Sequence, residues 1–250
     1  MGSLDGRRTL LTGAAAGLGR EIALRYAEEG ALSVALCDID ADGLDKVRAE
    51  VEQRGAKAST HVVDVSNGDN VTEAFAAAFD TAGGIDVVVN NAGILSQSAR
   101  IHNTTTADFR RVLDVNVLGA FHGIRAAADF MRKSTGGTII NTASVSGLTA
   151  WSHAAPYCAS KAAVIQLTKV AAIEYAADGI TINCVCPGTF RSAIHDDMPA
   201  EALDAIASRH PVGRLGDAGE VVGAYVYLAD ARSSFTTGAA LVVDGGYSAP

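Results

Sequence analysis

The sequence lacks any apolar run that approaches the roughly 20 residues needed to span a membrane. It also lacks an excess of basic residues: 20 lysines and arginines stand against 28 aspartates and glutamates, which gives a formal net charge of −8. Nucleic acids and anionic membrane surfaces attract proteins of the opposite charge, so neither is expected as a partner. The amino terminus is polar and shows no signal-peptide stretch, which favours a cytoplasmic protein.

Cysteine is scarce, with four residues in the chain. The one-residue separation of Cys184 and Cys186 is not typical of metal or redox motifs. Because strand residues alternate between faces, we expect these two to point apart and to remain unbridged. Reduced cysteines in core strands are typical of a cytosolic protein. Neither ligand spacing nor a carboxylate–histidine pair predicts a metal site.

Linkers, low-complexity tracts and breaks in composition are missing too, so residues 1–250 are expected to form one domain. Short β-branched runs alternate with helical patterns, which predicts an α/β fold with a doubly wound parallel sheet and helices on both faces. The predicted strands are Arg8–Thr12, Ser33–Cys37, Ser59–Val63, Asp86–Val89, Thr138–Thr142, Thr181–Val185 and Ala240–Val243. After a first helix that ends near Glu29, the predicted helices are Ala41–Arg54, Asn67–Phe79, Thr106–Lys133, Ala155–Ala177 and Ala218–Ala229.

Polar residues cluster where these strands end. Ligands of such sheets bind beyond the carboxyl ends of the strands. Asp38, Asp64, Asn90, Ser144 and Pro187 lie at or just past predicted strand ends. The sequence therefore predicts a ligand site at this rim.

The first strand runs into a glycine turn, Thr12-Gly13-Ala14-Ala15-Ala16-Gly17-Leu18-Gly19, and then into a helix. Glycines permit close backbone approach to a dinucleotide, and a helix N-terminus offers free N–H groups to its phosphates. Asp38 ends the second strand, where a carboxylate accepts hydrogen bonds from ribose hydroxyls and repels a 2′-phosphate. Ile39 follows instead of a basic residue, so the pattern favours NAD over NADP.

Tyr157 and Lys161 are four residues apart on the helix that begins around Pro156, and residues at that spacing are surface neighbours. An ammonium beside a phenol favours the phenolate, so we expect Lys161 to lower the pKa of Tyr157. A phenol tuned in this way can transfer a proton at working pH.

Taken together and in order, these motifs resemble the short-chain dehydrogenase/reductase family over essentially the whole chain. They are Thr12-Gly13-x-x-x-Gly17-x-Gly19, Asn90-Asn91-Ala92-Gly93, Asn116, Ser144, Tyr157-x-x-x-Lys161 and Pro187-Gly188. The resemblance implies a Rossmann-type sheet of about seven strands, a homotetramer and a catalytic tetrad of Asn116, Ser144, Tyr157 and Lys161. Tyr157 would be the general acid/base, Ser144 would bind the substrate oxygen, and Asn116 would interrupt its helix and hold a water of the proton relay.

The same resemblance implies an NAD-binding set. Its members are Gly13, Gly17, Leu18 and Gly19 at the diphosphate, Asp38 at the ribose, Asp64, Val65, Asn91 and Gly93 around the adenine, and Tyr157 and Lys161 near the nicotinamide ribose. Pro187 and Gly188 lead to either Thr189 or Ser192, one of which would bind the carboxamide.

Three stretches, 94–99, 145–153 and 190–210, would surround the reacting carbon, and the last is expected to form a substrate flap. Expected substrate-binding residues are Leu95, Ser144, Trp151, His153, Tyr157 and Phe190, with ordinary packing as the alternative for the apolar ones. Ile194 and Met198 add to the apolar character, while His195 is a further flap histidine. We therefore predict an NAD-dependent oxidoreductase acting on a moderately hydrophobic secondary alcohol or ketone. A 3-oxoacyl-thioester reductase and a non-catalytic NAD-sensing relative are the alternatives.

Overall fold

Seven parallel strands form one sheet in the computed structural model, which describes residues 2–191 and 198–249. The strands are β1 (Arg8–Thr12), β2 (Ser33–Asp38), β3 (Lys57–Val62), β4 (Val87–Asn90), β5 (Gly137–Thr142), β6 (Ile180–Pro187) and β7 (Ala240–Val243). Their order is β3-β2-β1-β4-β5-β6-β7, so the winding reverses between β1 and β4. Such a reversal opens a crevice at the strand ends. The predicted fold class is confirmed.

Helices cover both faces of the sheet. The described helices are α1 (Gly17–Glu28), α2 (Ala41–Gln53), α3 (Gly68–Ala82), α4 (Thr106–Leu113), α5 (Gly119–Met131), α6 (Ala155–Tyr175), α7 (Ala200–Ala207) and α8 (Ala218–Ala229). One buried apolar cluster joins α1, α2 and α8 to the sheet, and a second joins α3, α5 and α6 to its other face. Between these layers β4 is buried along its whole length, which explains its run of valines.

Local sequence signals set several helix starts. The side chain of Asp40 accepts the N–H of Gly43 and begins α2, and Asn67 caps α3 by accepting the N–H groups of Asp69 and Asn70. Asp217 and Glu220 form a capping box at the start of α8. Acceptor side chains at these positions satisfy N–H groups that the first helical turn leaves free.

The predicted helix Thr106–Lys133 is divided in the structure. A five-residue π-helical turn, Asp114–Leu118, separates α4 from α5. Such a turn carries one extra residue and is frequent at functional sites. It places the buried side chain of Asn116 toward the loop after β4, where it hydrogen-bonds to Ile94.

The prediction that Cys184 and Cys186 point apart is wrong. Residues two apart on a strand lie on the same face, because it is consecutive residues that alternate. Both thiols are fully buried in one cluster with Val164 and Ile165 of α6. All four cysteines are free thiols.

Candidate active site at the strand ends

The turn between β1 and α1 forms a backbone cradle. Gly13 and Gly17 have φ values of +67° and +53°, which side chains other than glycine rarely adopt. A Cβ on Gly19 would overlap the carbonyl oxygen of Gly13. The N-cap residue Ala16 offers no side-chain acceptor, and the first turn of α1 has no acidic residue. The N–H groups that begin α1 are therefore left to an external anion, and the cradle fits the diphosphate of a dinucleotide.

Asp38 lies at the end of β2 beside this cradle. Its carboxylate accepts the N–H of Ala15 at 3.0 Å and the N–H of Asp40 at 3.1 Å. It thus joins the second strand to the glycine turn. The next side chain, Ile39, is 72% exposed and carries no charge. A ribose at this position would meet a carboxylate that is followed in the chain by an uncharged residue.

The residues expected around the adenine follow β3 and β4. Asp64 is exposed and accepts hydrogen bonds from Ser66, while Val65 is buried. Asn91 donates its amide N–H to the carbonyl of Gly13 at 3.1 Å, and its backbone N–H donates to Oγ1 of Thr12 at 3.0 Å. These bonds fasten the segment after β4 to the glycine turn.

Gly93 lies close to two of the proposed catalytic residues, Asn116 and Lys161. A Cβ at this position would lie 3.3 Å from both Oδ1 of Asn116 and Nζ of Lys161. The lack of a side chain lets the loop pass directly over both groups.

The hydroxyl of Ser144 lies beside that of Tyr157 and lowers the pKa of the phenol. Ser144 is buried two residues beyond the end of β5, and its Oγ also accepts the N–H of Ser146 at 3.1 Å. Tyr157 lies in the first turn of α6. Burial has the larger effect and raises the pKa of Tyr157 above its usual value, against the influence of Ser144.

The expectation that Lys161 lowers the pKa of Tyr157 is not met. Although the two residues are helical neighbours, Nζ of Lys161 lies 5.7 Å from the centre of the Tyr157 ring and donates to the carbonyl of Thr142 at 2.7 Å. Burial lowers the pKa of Lys161 itself to about 8. The side chain is directed at the end of β5, and among the described residues no hydrogen bond joins the ammonium to the phenol oxygen.

The Asn116 side chain forms hydrogen bonds with other groups of the protein. Its Oδ1 accepts the N–H of Ile94 at 2.8 Å, and its Nδ2 donates to the carbonyl of Ile94 and to Oγ of Ser160. Ser160 in turn donates to the carbonyl of Tyr157 at 2.7 Å. Both Nδ2 hydrogens are used, so this amide positions the loop after β4 against α6. Its role toward a relay water stays a prediction.

The expected substrate residues differ in their contacts and exposure. The Trp151 ring stacks on the Tyr157 ring, with centroids 6.0 Å apart, and Leu95 is half exposed. His153 has a φ of +65°, an exposed side chain bonded to Ser152, and a carbonyl that accepts the N–H of Ala99. By contrast, Phe190 packs against the core cluster of α1, α2 and α8, which favours an ordinary packing role over substrate binding.

Pro187 ends β6, and Gly188 donates its N–H to Val243 at 2.9 Å. A Cβ on Gly188 would lie 2.7 Å from Cα of Asp244. The carbonyl of Thr189 accepts the N–H of Gly216, which holds its backbone beside α8. Ser192, Ile194 and His195 lie outside the described residues, as does part of the expected flap at 190–210.

Sequence reasoning missed Thr142, Ser160 and Tyr225. The Thr142 carbonyl accepts Lys161, and the hydroxyl of Thr142 lies 2.8 Å from that of Tyr225. A polar residue at the last position of β5 is a signal that could have found Thr142. Tyr225 stands in an apolar helix 83 residues further along and offered no such signal.

Other classes of site find no support in the described ranges. Within residues 2–191 and 198–249, no group of three or more histidine, cysteine or acidic side chains could hold a metal ion. None of the described helices combines the length and apolar character required to cross a membrane.

A doubly wound parallel sheet with a dinucleotide cradle beside a Ser-Tyr-Lys cluster defines a nicotinamide-dependent oxidoreductase. Comparison with known proteins agrees. A family model described as enoyl-(acyl carrier protein) reductase matches residues 13–248. A solved short-chain type dehydrogenase/reductase from Mycobacterium marinum superposes with a TM-score of 0.91 at 40% identity, over 99% of this chain and 97% of that one.

Two curated relatives illustrate the activities. The 3beta-hydroxysteroid dehydrogenase 1 of Eggerthella lenta is 38% identical over 97% of this chain and 94% of its own. The 3-oxoacyl-[acyl-carrier-protein] reductase FabG of Thermotoga maritima is 36% identical over 97% of this chain and 98% of its own. The chain belongs to the short-chain dehydrogenase/reductase family. It is an oxidoreductase that acts on CH–OH groups.

Proposed function

We propose that the chain is an NAD(H)-dependent enzyme that interconverts a secondary alcohol and a ketone. The observation that carries this proposal is the neighbouring pair of Ser144 and Tyr157 on the same rim as the uncapped start of α1. When bound, the nicotinamide takes a hydride from the alcohol carbon or gives one to the ketone. The protein must then bind the substrate oxygen and move one proton.

Tyr157 moves that proton. In reduction its phenol donates to the substrate oxygen, and in oxidation its phenolate accepts the alcohol proton. Ser144 contributes a second hydrogen bond to the same oxygen and stabilises the charge that develops there. An ammonium has three N–H donors, and Thr142 takes one from Lys161, which leaves two for the hydroxyls of the nicotinamide ribose.

The preference for NAD rests on Asp38. Its carboxylate is held at the end of β2 by the N–H groups of Ala15 and Asp40, at the edge of the cradle. A fixed negative charge here accepts two ribose hydroxyls and repels a 2′-phosphate. Asp38→Asn removes the repulsion and keeps an acceptor oxygen for one of these two N–H groups, so its NADP⁺ turnover should rise relative to NAD⁺.

The substrate is proposed to be uncharged and moderately hydrophobic. Leu95 and Leu148 each expose about half of their surface, 50% and 48%, and Trp151 forms an aromatic wall against Tyr157. Apolar and aromatic linings with a few polar groups are typical of small-molecule sites.

A second candidate is reduction of a 3-oxoacyl thioester. The description of the matching family model and the name of the T. maritima relative both refer to an acyl carrier protein. Against it, Ile173 on α6 is 82% exposed where we expect carrier-dependent relatives to offer an arginine. Including a CoA thioester in the substrate panel distinguishes thioester reduction from oxidation or reduction of a simple secondary alcohol or ketone.

The assembly is proposed to be a homotetramer in the cytoplasm. Apolar side chains stand exposed on α5 and α6, among them Phe121, Val170 and Ile173, which supports a subunit contact along these helices. Four free thiols suit a reducing compartment. Light scattering of the wild type and of Ile173→Glu tests the assembly: the variant should dissociate to a smaller species.

Turnover of a panel of cyclic and acyclic secondary alcohols with NAD⁺ and NADP⁺ tests the function. Acetoacetyl-CoA with NADH covers the thioester candidate. The variant Tyr157→Phe should have a kcat/KM at least about a hundredfold below that of the wild type. A hundredfold is the lower end of the rate enhancement that general acid–base catalysis supplies. Turnover that survives in this variant would refute the proton role. Binding of NADH without turnover of any substrate would favour the non-catalytic, NAD-sensing alternative.

A further inference from the structure

A chain of hydrogen bonds links helix α8 to the cradle and to Lys161 through one residue, Thr142. The Thr142 carbonyl accepts Nζ of Lys161 at 2.7 Å. Its hydroxyl lies 3.2 Å from Oδ1 of Asn91 and 2.8 Å from the hydroxyl of Tyr225. Asn91 continues the chain by donating to the carbonyl of Gly13 in the glycine turn.

The direction of each bond follows from its partners. Asn91 presents its NH₂ group to a carbonyl at Gly13, so its Oδ1 faces Thr142 and can only accept. The Thr142 hydroxyl therefore donates to Asn91. Its one proton is then used, so the Tyr225 hydroxyl must donate to Thr142.

Tyr225 thus determines how Thr142 is oriented. The Tyr225 side chain is fully buried, and burial raises its pKa, so the hydroxyl remains a proton donor over the working range of the enzyme. A donor at 2.8 Å keeps the Thr142 proton directed at Asn91. Without it, the hydroxyl is free to rotate and to leave Oδ1 of Asn91 without a donor.

We infer that Thr142 and Tyr225 are positioning residues for the nucleotide. Tyr225 orients Thr142, and Thr142 holds the Asn91 amide on the glycine turn with its hydroxyl and Lys161 with its carbonyl. The glycine-turn cradle and the Lys161 ammonium are thereby held at fixed positions relative to each other. This inference rests on the proposed function, because it assigns the network to binding of a nicotinamide nucleotide.

The test compares two buried tyrosines. Tyr225→Phe removes the donor to Thr142. Tyr26→Phe is the matched control: Tyr26 is also fully buried in the same core cluster, and its hydroxyl donates only to the backbone carbonyl of Tyr225. Each variant loses one buried phenol hydrogen bond and keeps its ring. NADH binding by fluorescence titration and the melting temperature are measured for both.

We expect comparable losses of melting temperature but different nucleotide affinities. Tyr225→Phe should bind NADH about five- to tenfold more weakly, the effect of one misplaced hydrogen bond, while Tyr26→Phe binds as the wild type does. Equal NADH affinity in wild type and Tyr225→Phe would overturn the inference, as would equal weakening in both variants. A wild type that binds neither NADH nor NADPH would overturn the proposed function itself. If only NADPH binds, the same comparison is made with NADPH.

Substitutions at Thr142 give an independent readout. Thr142→Ser keeps the hydroxyl and should keep NADH affinity within about twofold. Thr142→Val leaves Tyr225 without an acceptor and Asn91 without a donor, so both stability and affinity should fall. In the double variant Thr142→Val with Tyr225→Phe the melting temperature should partly recover, because the Tyr225 hydroxyl that lacked an acceptor is gone, while Asn91 still lacks its donor and NADH affinity stays low. Recovery of both together would show a structural role alone and contradict the inference.

Discussion

Lys161 offers a quantitative test through the pH dependence of stability. Its ammonium is buried, and among the described residues no carboxylate forms an ion pair with it. Burial lowers its pKa from 10.5 to about 8. At about 1.36 kcal/mol per pKa unit, this shift corresponds to about 3 kcal/mol. Below pH 8 the ammonium is charged in both states, and its burial destabilises the fold by roughly that amount.

The sign of the effect follows from proton binding. Between pH 8 and 10.5 the folded protein releases the Lys161 proton while the unfolded chain keeps it. The unfolded state then binds more protons, so this residue makes stability rise with pH across the window. Above pH 10.5 both states are neutral at this position, and the penalty is gone.

The assay is urea unfolding of wild type and Lys161→Met from pH 7 to pH 10.5. The difference between their free energies of unfolding should shift in favour of the wild type by about 3 kcal/mol across this range. Other titrating groups act on both proteins and cancel in the difference. Lys46→Met, at an exposed position of α2, is the control. A difference that stays constant with pH, or varies equally for the control, would refute a buried ammonium at Lys161.

Three further predictions concern glycines and the aromatic wall. Gly19→Ala should abolish NADH binding in a fluorescence titration, because its Cβ overlaps Gly13; binding like the wild type would contradict the cradle. Gly223→Ala, where a Cβ meets nothing within 4 Å on helix α8, should raise the free energy of unfolding by about 0.4–1 kcal/mol in a urea melt, and a loss of stability would contradict this. Trp151→Ala should raise KM for hydrophobic alcohols more than it lowers kcat in steady-state assays, and a pure kcat effect would point to positioning of Tyr157 instead.

The fold was predictable because its signals are local. The valines of β4 follow from burial on both faces, and Asp40 and Asn67 mark helix starts by their own side chains. The boundaries of α8 and β7 were predicted to the residue. The family resemblance implied an interruption at Asn116, and the π-helical turn Asp114–Leu118 lies there, but the apolar pattern did not show it, since one extra residue in a helix leaves that pattern almost unchanged.

Side-chain direction was less predictable. Spacing correctly placed Tyr157 and Lys161 as helical neighbours, yet Lys161 extends to Thr142 because a carbonyl at the end of β5 lies within its reach. For the cysteines the error lay in applying the alternation of strand residues to positions two apart. The sequence pattern alone indicates on which face of its helix or strand a residue lies. Its hydrogen-bond or packing partner depends on which groups the neighbouring element places against that face.

The site as a whole explains why its motifs are so scattered. A parallel sheet brings the ends of all its strands to one rim, so residues from position 12 to position 225 meet within a few ångströms. Motifs on adjacent strand ends can be found in the sequence because each is a short local pattern. The bonds between them are made by residues such as Thr142, whose backbone and side chain serve different neighbours. A substitution in α8, a helix without a recognisable motif, can therefore alter nucleotide binding, since Tyr225 acts through Thr142 on the Asn91 side chain that is bonded to the glycine turn.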